Sequence, residues 1–176
     1  MVTIQQLLGA HSDERAWRRG AEGEEEVAFR LSKLGDGWHV IHSVPVGNKG
    51  ADIDHVVIGL PGVFTLNTKN HLGGRASVTS KAIYVNGKYQ PYLAKSRAEG
   101  TWATKSLRVA CGIDVVVHPV IVVMATDLRV KSAPEGVSVV GRKRIAQWLL
   151  NQPPIFDPPA VEDIYAAARS RSTWIH

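Results

Sequence analysis

Four side chains in this sequence have the types and the spacing to do hydrolytic chemistry: Glu24, Asp54, Asn67 and Lys69. Glu24 carries a charge where an apolar residue is expected. Stepping about 100° per residue along a helix puts Trp17, Ala28 and Leu31 within about 40° of it, at the centre of an apolar stripe. Glu25 and Glu26 point to the sides and to solvent. Gly20 and Gly23 each cost a helix roughly 0.5–1 kcal/mol relative to Ala and would let another element approach the backbone closely. A rim glutamate with a packed stem and a wet carboxylate is the ordinary alternative.

The other three residues fall on two strands joined by a turn. Along the first, Asp52, Asp54, Val56 and Ile58 share a face; along the second, Val63, Thr65, Asn67 and Lys69 do. A type II turn pairing Leu60 with Val63 sets Asp54 opposite Lys69, and a shift by two residues sets it opposite Asn67. Both registers keep Asp54, Asn67 and Lys69 on one face, whereas a one-residue slip separates them. A surface Asp54–Lys69 ion pair is the plain reading, and it is worth little. It leaves the inward Glu24 unexplained. Two carboxylates, an amide oxygen and a lysine that converge can bind a hard divalent cation through oxygen. The lysine can orient a water and stabilise negative charge developing on a phosphoryl group. That is the equipment for phosphodiester hydrolysis.

Other candidates carry less. His55 falls on the strand face opposite Asp54 and reads as a hydrogen-bonded core residue. His71 follows the lysine closely enough to touch a substrate, although an exposed loop histidine is the commoner case. His39, His42 and His118 lack metal-ligand spacing with one another. Gly47-Asn48-Lys49-Gly50 has the wrong spacing for a phosphate-binding P-loop and reads as a turn whose Lys49 could graze nucleic acid. Arg15, Arg18 and Arg19, and later Arg142, Lys143 and Arg144, form basic clusters that fit phosphate contact or plain solvation. Lys105 falls near the stripe of Ala98, Trp102 and Val109 on a later helix and either reaches towards phosphate or snorkels. Cys111 reads as a small buried hydrophobe.

These residues need a frame. Met1–Ser12 reads as a loose lead-in, and residues 13–176 as one domain. A helix is predicted from Asp13 to about Leu34, stopped by Gly35 and Gly37. Strands follow at Trp38–Val46, Ile53–Ile58 and Val63–Thr68, with Leu60-Pro61-Gly62 as the hairpin turn. Ser77–Thr79 and Ile83–Val85 form a further short hairpin, followed by an Asn86-Gly87 turn. A second helix covers about Tyr92–Ala110. Strands at Val115–Ala125 and Val137–Val140 come next, then a helix at Arg144–Leu150. A proline-rich linker at 151–159 leads to a last helix, with Asp157 as N-cap and Pro158 at its first position. The order implies an α/β fold with helices flanking a mixed central sheet.

With 176 residues, 44% of them hydrophobic and 21% charged, the chain suits one soluble domain. The net charge of +5 favours polyanionic partners without establishing one. A single cysteine excludes an internal disulfide framework and a Cys-rich zinc site. The longest apolar run, Val120–Ala125, is too short to span a bilayer, and no secretion signal is visible. The expectation is a cytoplasmic protein with no membrane partner and an open oligomeric state, a homodimer included.

Gly20-Ala21-Glu22-Gly23-Glu24, then Asp52-Ile53-Asp54-His55-Val56-Val57-Ile58, then Gly62-Val63-Phe64-Thr65-Leu66-Asn67-Thr68-Lys69-Asn70 together resemble the nuclease-related domain (NERD) family. The clear match covers about residues 17–73. The resemblance implies a restriction-endonuclease-like core of the PD-(D/E)XK superfamily. It assigns Glu24 as the helix carboxylate, Asp54 as the central metal ligand, Asn67 to the acid position of the (D/E)XK motif and Lys69 as its lysine. The expected ion is Mg²⁺ or Mn²⁺, held by Glu24, Asp54 and Asn67, and the expected partner is DNA, with Arg18, Arg19, Lys49, His71 and Lys105 as candidate contacts. Asn67 departs from the motif and removes one negative charge. Relatives in the superfamily often carry a Gln on the second helix, and Tyr92–Ala110 has none. The expected activity is metal-dependent hydrolysis of DNA phosphodiesters. A weakened nucleic-acid-binding module of the same fold is the alternative. A protein-interaction domain is a third, since Trp102, Trp148 and Trp174 lie in the poorly matching half.

Overall fold

The computed structural model describes residues 4–176, with side chains described from Asp13 onward. One mixed sheet of seven strands is flanked by four helices, in the order α1 (Ile4–Leu31), β1 (His39–Val46), β2 (Ala51–Gly59), β3 (Gly62–Val78), β4 (Ile83–Val85), β5 (Lys88–Gln90), α2 (Tyr92–Cys111), β6 (Val117–Val130), β7 (Ser138–Gly141), α3 (Ile145–Leu150) and α4 (Pro158–Ala168). β1 to β5 pair antiparallel in sequence order, while β6 runs parallel to β3 and to β7. The α/β architecture with a mixed, helix-flanked sheet is thus as the order of elements implies.

Several boundaries differ from expectation, among them the end of β6, which runs to Val130 alongside the extended β3 instead of stopping at Ala125. The first helix begins at Ile4 rather than Asp13, because Gln5, Gln6, Leu7, Leu8 and Ala10 are good helix formers and only Gly9 opposes them. It ends at Leu31, and glycines at φ +84° (Gly35) and +82° (Gly37) then turn the chain. The hairpin after β2 pairs Gly59 with Gly62, so Leu60 and Pro61 are its central residues in place of Pro61 and Gly62. Finally, β3 does not stop at Thr68. It continues to Val78 through a register shift between His71 and Arg75, where Gly73 takes φ +84°. Ser77 and Val78 therefore belong to β3 while Thr79 opens the turn to β4, and the Asn86-Gly87 turn links β4 to β5, a strand the sequence did not reveal.

Two cores divide the faces of the sheet. On one, Val57, Leu66, Val120 and Val122 pack against Val27 and Leu31 of α1 and Ile145 and Leu149 of α3. On the other, Val56, Ile58 and Val63 pack against Ala103 and Leu107 of α2 and Val161 and Ile164 of α4. Ile121 and Val123 extend that second face under Leu93 of α2. Two helical glycines set the approach of each layer. A Cβ on Gly23 would lie 3.2 Å from Thr68, Asn70 and Met124 atoms, and one on Gly100 would lie 3.0 Å from the Pro119 ring. Gly20 has no such neighbour. Trp17, expected in the buried stripe, is 74% exposed, because this part of α1 is not covered by the sheet. Trp102 and Trp174 pack in the α2–α4 core and Trp148 packs against the α1–α3 core.

Candidate active site

The register explains which functional side chains meet. Asn67 pairs with Ile121 and Lys69 with Val123, so both face α2. Asp54 continues the parity of Val56 and Ile58 and faces the same way. The β2–β3 ladder closes at His55–Leu66, and one step beyond it the Asp54 carboxylate replaces the strand partner. Its Oδ2 accepts the Thr68 backbone N–H at 2.5 Å. A side chain thus terminates the sheet pairing and is locked in place by it.

Sequence reading did not find two residues that complete this cluster. Glu99 on α2 accepts a hydrogen bond from the Asn67 amide through its Oε2. Lys95, one turn earlier on α2, acts electrostatically on Asp54, Lys69 and Glu99. Spaced four apart on a helix, Lys95 and Glu99 look like an ordinary solvent pair. The signal that sets them apart is their neighbourhood: Ser96 and Gly100 are buried, which turns this part of α2 towards the sheet. The second helix has no glutamine, but it does deliver a carboxylate to position 67.

Burial dominates the electrostatics. The Asp54 carboxyl is pushed up by desolvation, and the Thr68 backbone hydrogen bond, Lys69 and Lys95 only partly oppose this. Desolvation also raises Glu99, with Asp54 adding to it and Lys95 and Lys69 opposing. The Lys69 ammonium is pushed down by burial while Asp54, Glu99 and Glu24 hold it up. Its Nζ lies 5.2 Å from the centroid of the Tyr92 ring, a cation–π contact. Tyr92 in turn bonds His71 Nε2 through its hydroxyl at 2.9 Å. His71 is therefore half-buried on β3 and tied to α2.

Glu24 comes from the other side. It lies on α1, which packs the opposite face, next to Gly23 where that helix touches Thr68 and Asn70. It is half-buried, and its carboxyl is raised by burial and by Asp54, with Lys69 opposing. Asn70 ties this junction by donating to the Arg19 carbonyl at 2.7 Å. Among the described residues, no three His, Cys, Asp or Glu side chains form a group able to hold one ion.

The outlying candidates are placed elsewhere. Arg19 acts on His71 electrostatically. Arg18 is exposed and paired with Glu14 at 2.9 Å. Lys49 sits exposed in the β1–β2 turn. Lys105 is exposed, away from the buried residues of α2, six residues beyond Glu99. Arg142 is held at 2.6 Å by Glu26, which also binds Arg30 at 2.8 Å. His55 is buried opposite Asp54 and bonds His42 through their Nδ1 atoms at 2.8 Å. His39 pairs with Glu162, and His118 bonds Ser138. Cys111 packs against the α2–α4 core.

The donor set suits a hard cation. Asp54 and Glu99 offer carboxylate oxygens whose desolvation a cation would relieve. Asn67, with its NH₂ committed to Glu99, offers an amide oxygen. No helix among the described residues is long and apolar enough to cross a membrane. Searches of curated proteins and of solved structures return no match. The family profile described as nuclease-related domain matches residues 19–124 and so runs from the second half of α1 through β1–β5 and α2 into β6. The chain belongs to the nuclease-related domain family.

Proposed function

We propose that this protein is a cytoplasmic, Mg²⁺- or Mn²⁺-dependent nuclease that hydrolyses DNA phosphodiester bonds at the Asp54–Asn67–Lys69–Glu99 cluster. The observation that carries the reading is the Asn67–Glu99 hydrogen bond. It joins the Glu99 carboxylate of α2 to the amide at position 67, the position to which the resemblance assigns the motif's acid. Asp54, Glu99 and the Asn67 oxygen would hold the cation, with water completing its shell. Glu24 adds negative charge from the α1 side. A bound divalent cation supplies Lewis-acid polarisation of the phosphodiester and offsets charge on the leaving oxygen.

The chain's own residues do the rest. Lys69, between Asp54 and the Tyr92 ring, positions the attacking water and stabilises charge on the non-bridging oxygens. Thr68 N–H fixes the Asp54 rotamer, so one carboxylate oxygen stays directed into the cluster. Burial by α2 strengthens each of these interactions by excluding water. The amide at position 67 favours a second reading, binding without cleavage, because it removes one charge from the motif. Incubation of the purified protein with single- and double-stranded DNA in Mg²⁺, Mn²⁺ or EDTA, beside Asp54→Ala, separates the two. Cleavage that requires both the metal and Asp54 supports the nuclease; salt-sensitive binding without cleavage supports the module.

A further inference from the structure

Beyond the register shift in β3, one sheet face carries a straight row of side chains across four strands. Arg129 on β6 pairs with Ser77 on β3, Ser77 with Tyr84 on β4, and Tyr84 with Tyr89 on β5. Cross-strand partners share a face, so all four side chains project together. The opposite face of these strands is closed by Ala76, Val78, Ile83 and Val85 packing on Leu93 of α2. The row itself is open: Tyr84 is 37% exposed, Tyr89 59% and the Arg129 side chain 75%. The tyrosine rings meet edge-on with centroids 6.2 Å apart.

The small Ser77 leaves a notch between Tyr84 and Arg129. It is a shallow pocket of about 220 Å³, also lined by Arg75 and Lys131. Three cations thus surround it against one carboxylate, Asp127, which pairs with Arg129 at 3.0 Å. Arg75 and Lys131 have no ionic partner among the described residues.

We infer that this face is a docking platform for single-stranded DNA, which rests on the proposed action on nucleic acid and names the form of strand engaged. Aromatic rings on an open sheet take unstacked bases, and the neighbouring cations take the phosphates between them. A duplex keeps its bases stacked inside and offers the rings nothing to stack on. The platform and the catalytic cluster lie on the same strand: from Lys69 to Ser77 along β3 is on the order of 25 Å at extended-strand spacing. The platform therefore holds substrate at a distance from the reacting bond.

The test is fluorescence anisotropy of the full chain in EDTA, with a labelled oligodeoxythymidine and a duplex of equal length. Tyr84→Ala combined with Tyr89→Ala should weaken the single strand by at least about tenfold and the duplex by less than about twofold. The matching pair of Tyr→Phe changes should retain binding, since the ring faces remain. Unchanged single-strand affinity in the Ala variant, or an equal loss on both ligands, would overturn the platform. So would a changed melting temperature with unchanged affinity, since a cross-strand tyrosine pair then serves only the hairpin. Oligouridine bound more tightly than the DNA strand would overturn the choice of DNA. Wild-type protein that cleaves DNA while binding independently of the tyrosines removes the platform alone. Tyrosine-dependent binding without any cleavage removes the nuclease reading alone.

Discussion

Asn67 on β3 donates its side-chain amide to the Glu99 carboxylate on α2, so strand and helix share one polar contact beneath the Asp54 site. A carboxylate at position 67 would lose this donor and face Glu99 and Asp54 as a third negative charge. Asn67→Asp should therefore destabilise the protein by about 1–3 kcal/mol in EDTA. Most of that loss should return with Mg²⁺ or Mn²⁺, because an ionised oxygen is the stronger ligand for a hard cation. Denaturant unfolding with and without metal measures both halves of the expectation.

Lys69 is the strand-borne cation of the Asp54 cluster, placed by β3 and the Tyr92 ring. Lys69→Ala should remove cleavage while the melting temperature changes little and most of the DNA affinity survives. Gel-based cleavage beside anisotropy reads the separation. Unchanged cleavage would assign the lysine a purely structural role.

His55 couples the core to pH. Burial first, and His42 second, lower its pKa from 6.5 to about 4. The unfolded chain thus takes up a proton between these values that the folded chain refuses, so stability is lost as pH falls from about 6.5 towards 4. The difference corresponds to at most about 3 kcal/mol. In EDTA, His55→Leu should lose less stability than the native protein between pH 7 and pH 4 in urea unfolding. Parallel losses would mean that other groups govern acid unfolding.

Gly100 and Gly23 are the contact points of their helices with the sheet. Alanine is the better helix former by roughly 0.5–1 kcal/mol, yet a Cβ on Gly100 meets the Pro119 ring at 3.0 Å. Gly100→Ala should consequently destabilise by about 1–3 kcal/mol and displace Glu99, its neighbour, from Asn67. Gly20→Ala, with open space around it, should be neutral or stabilising. Paired thermal melts compare the two.

Much of this was readable before the fold was known, for physical reasons that differ by residue. The common face of Asp54, Asn67 and Lys69 follows from the period of two in any strand, and it survived a turn placed one residue away from its expected centre. Asp157 capping Ala160 N–H at 2.9 Å was equally local. Glu24 was legible as an inward-leaning charge but not as one arriving from the opposite side of the sheet, because helix periodicity carries no information about layers. Trp17 was misplaced for the same reason: the stripe continues in the sequence past the point where the sheet stops covering it. Glu99 and Lys95 were invisible, since an i, i+4 charge pair is the commonest pattern on a solvent face. Only the depth of Ser96 and Gly100 reveals its direction.

The central claim is that Asp54 and Glu99 together hold a divalent cation, with position 67 contributing a neutral oxygen. Calorimetric titration of Mn²⁺ into the native protein, Asp54→Ala and Glu99→Gln tests it most directly. The native protein should bind the ion, Asp54→Ala should lose binding, and Glu99→Gln should weaken it at least about tenfold, as expected for loss of an ionised ligand. Equal Mn²⁺ binding in all three proteins, or none in the native one, would contradict the assignment.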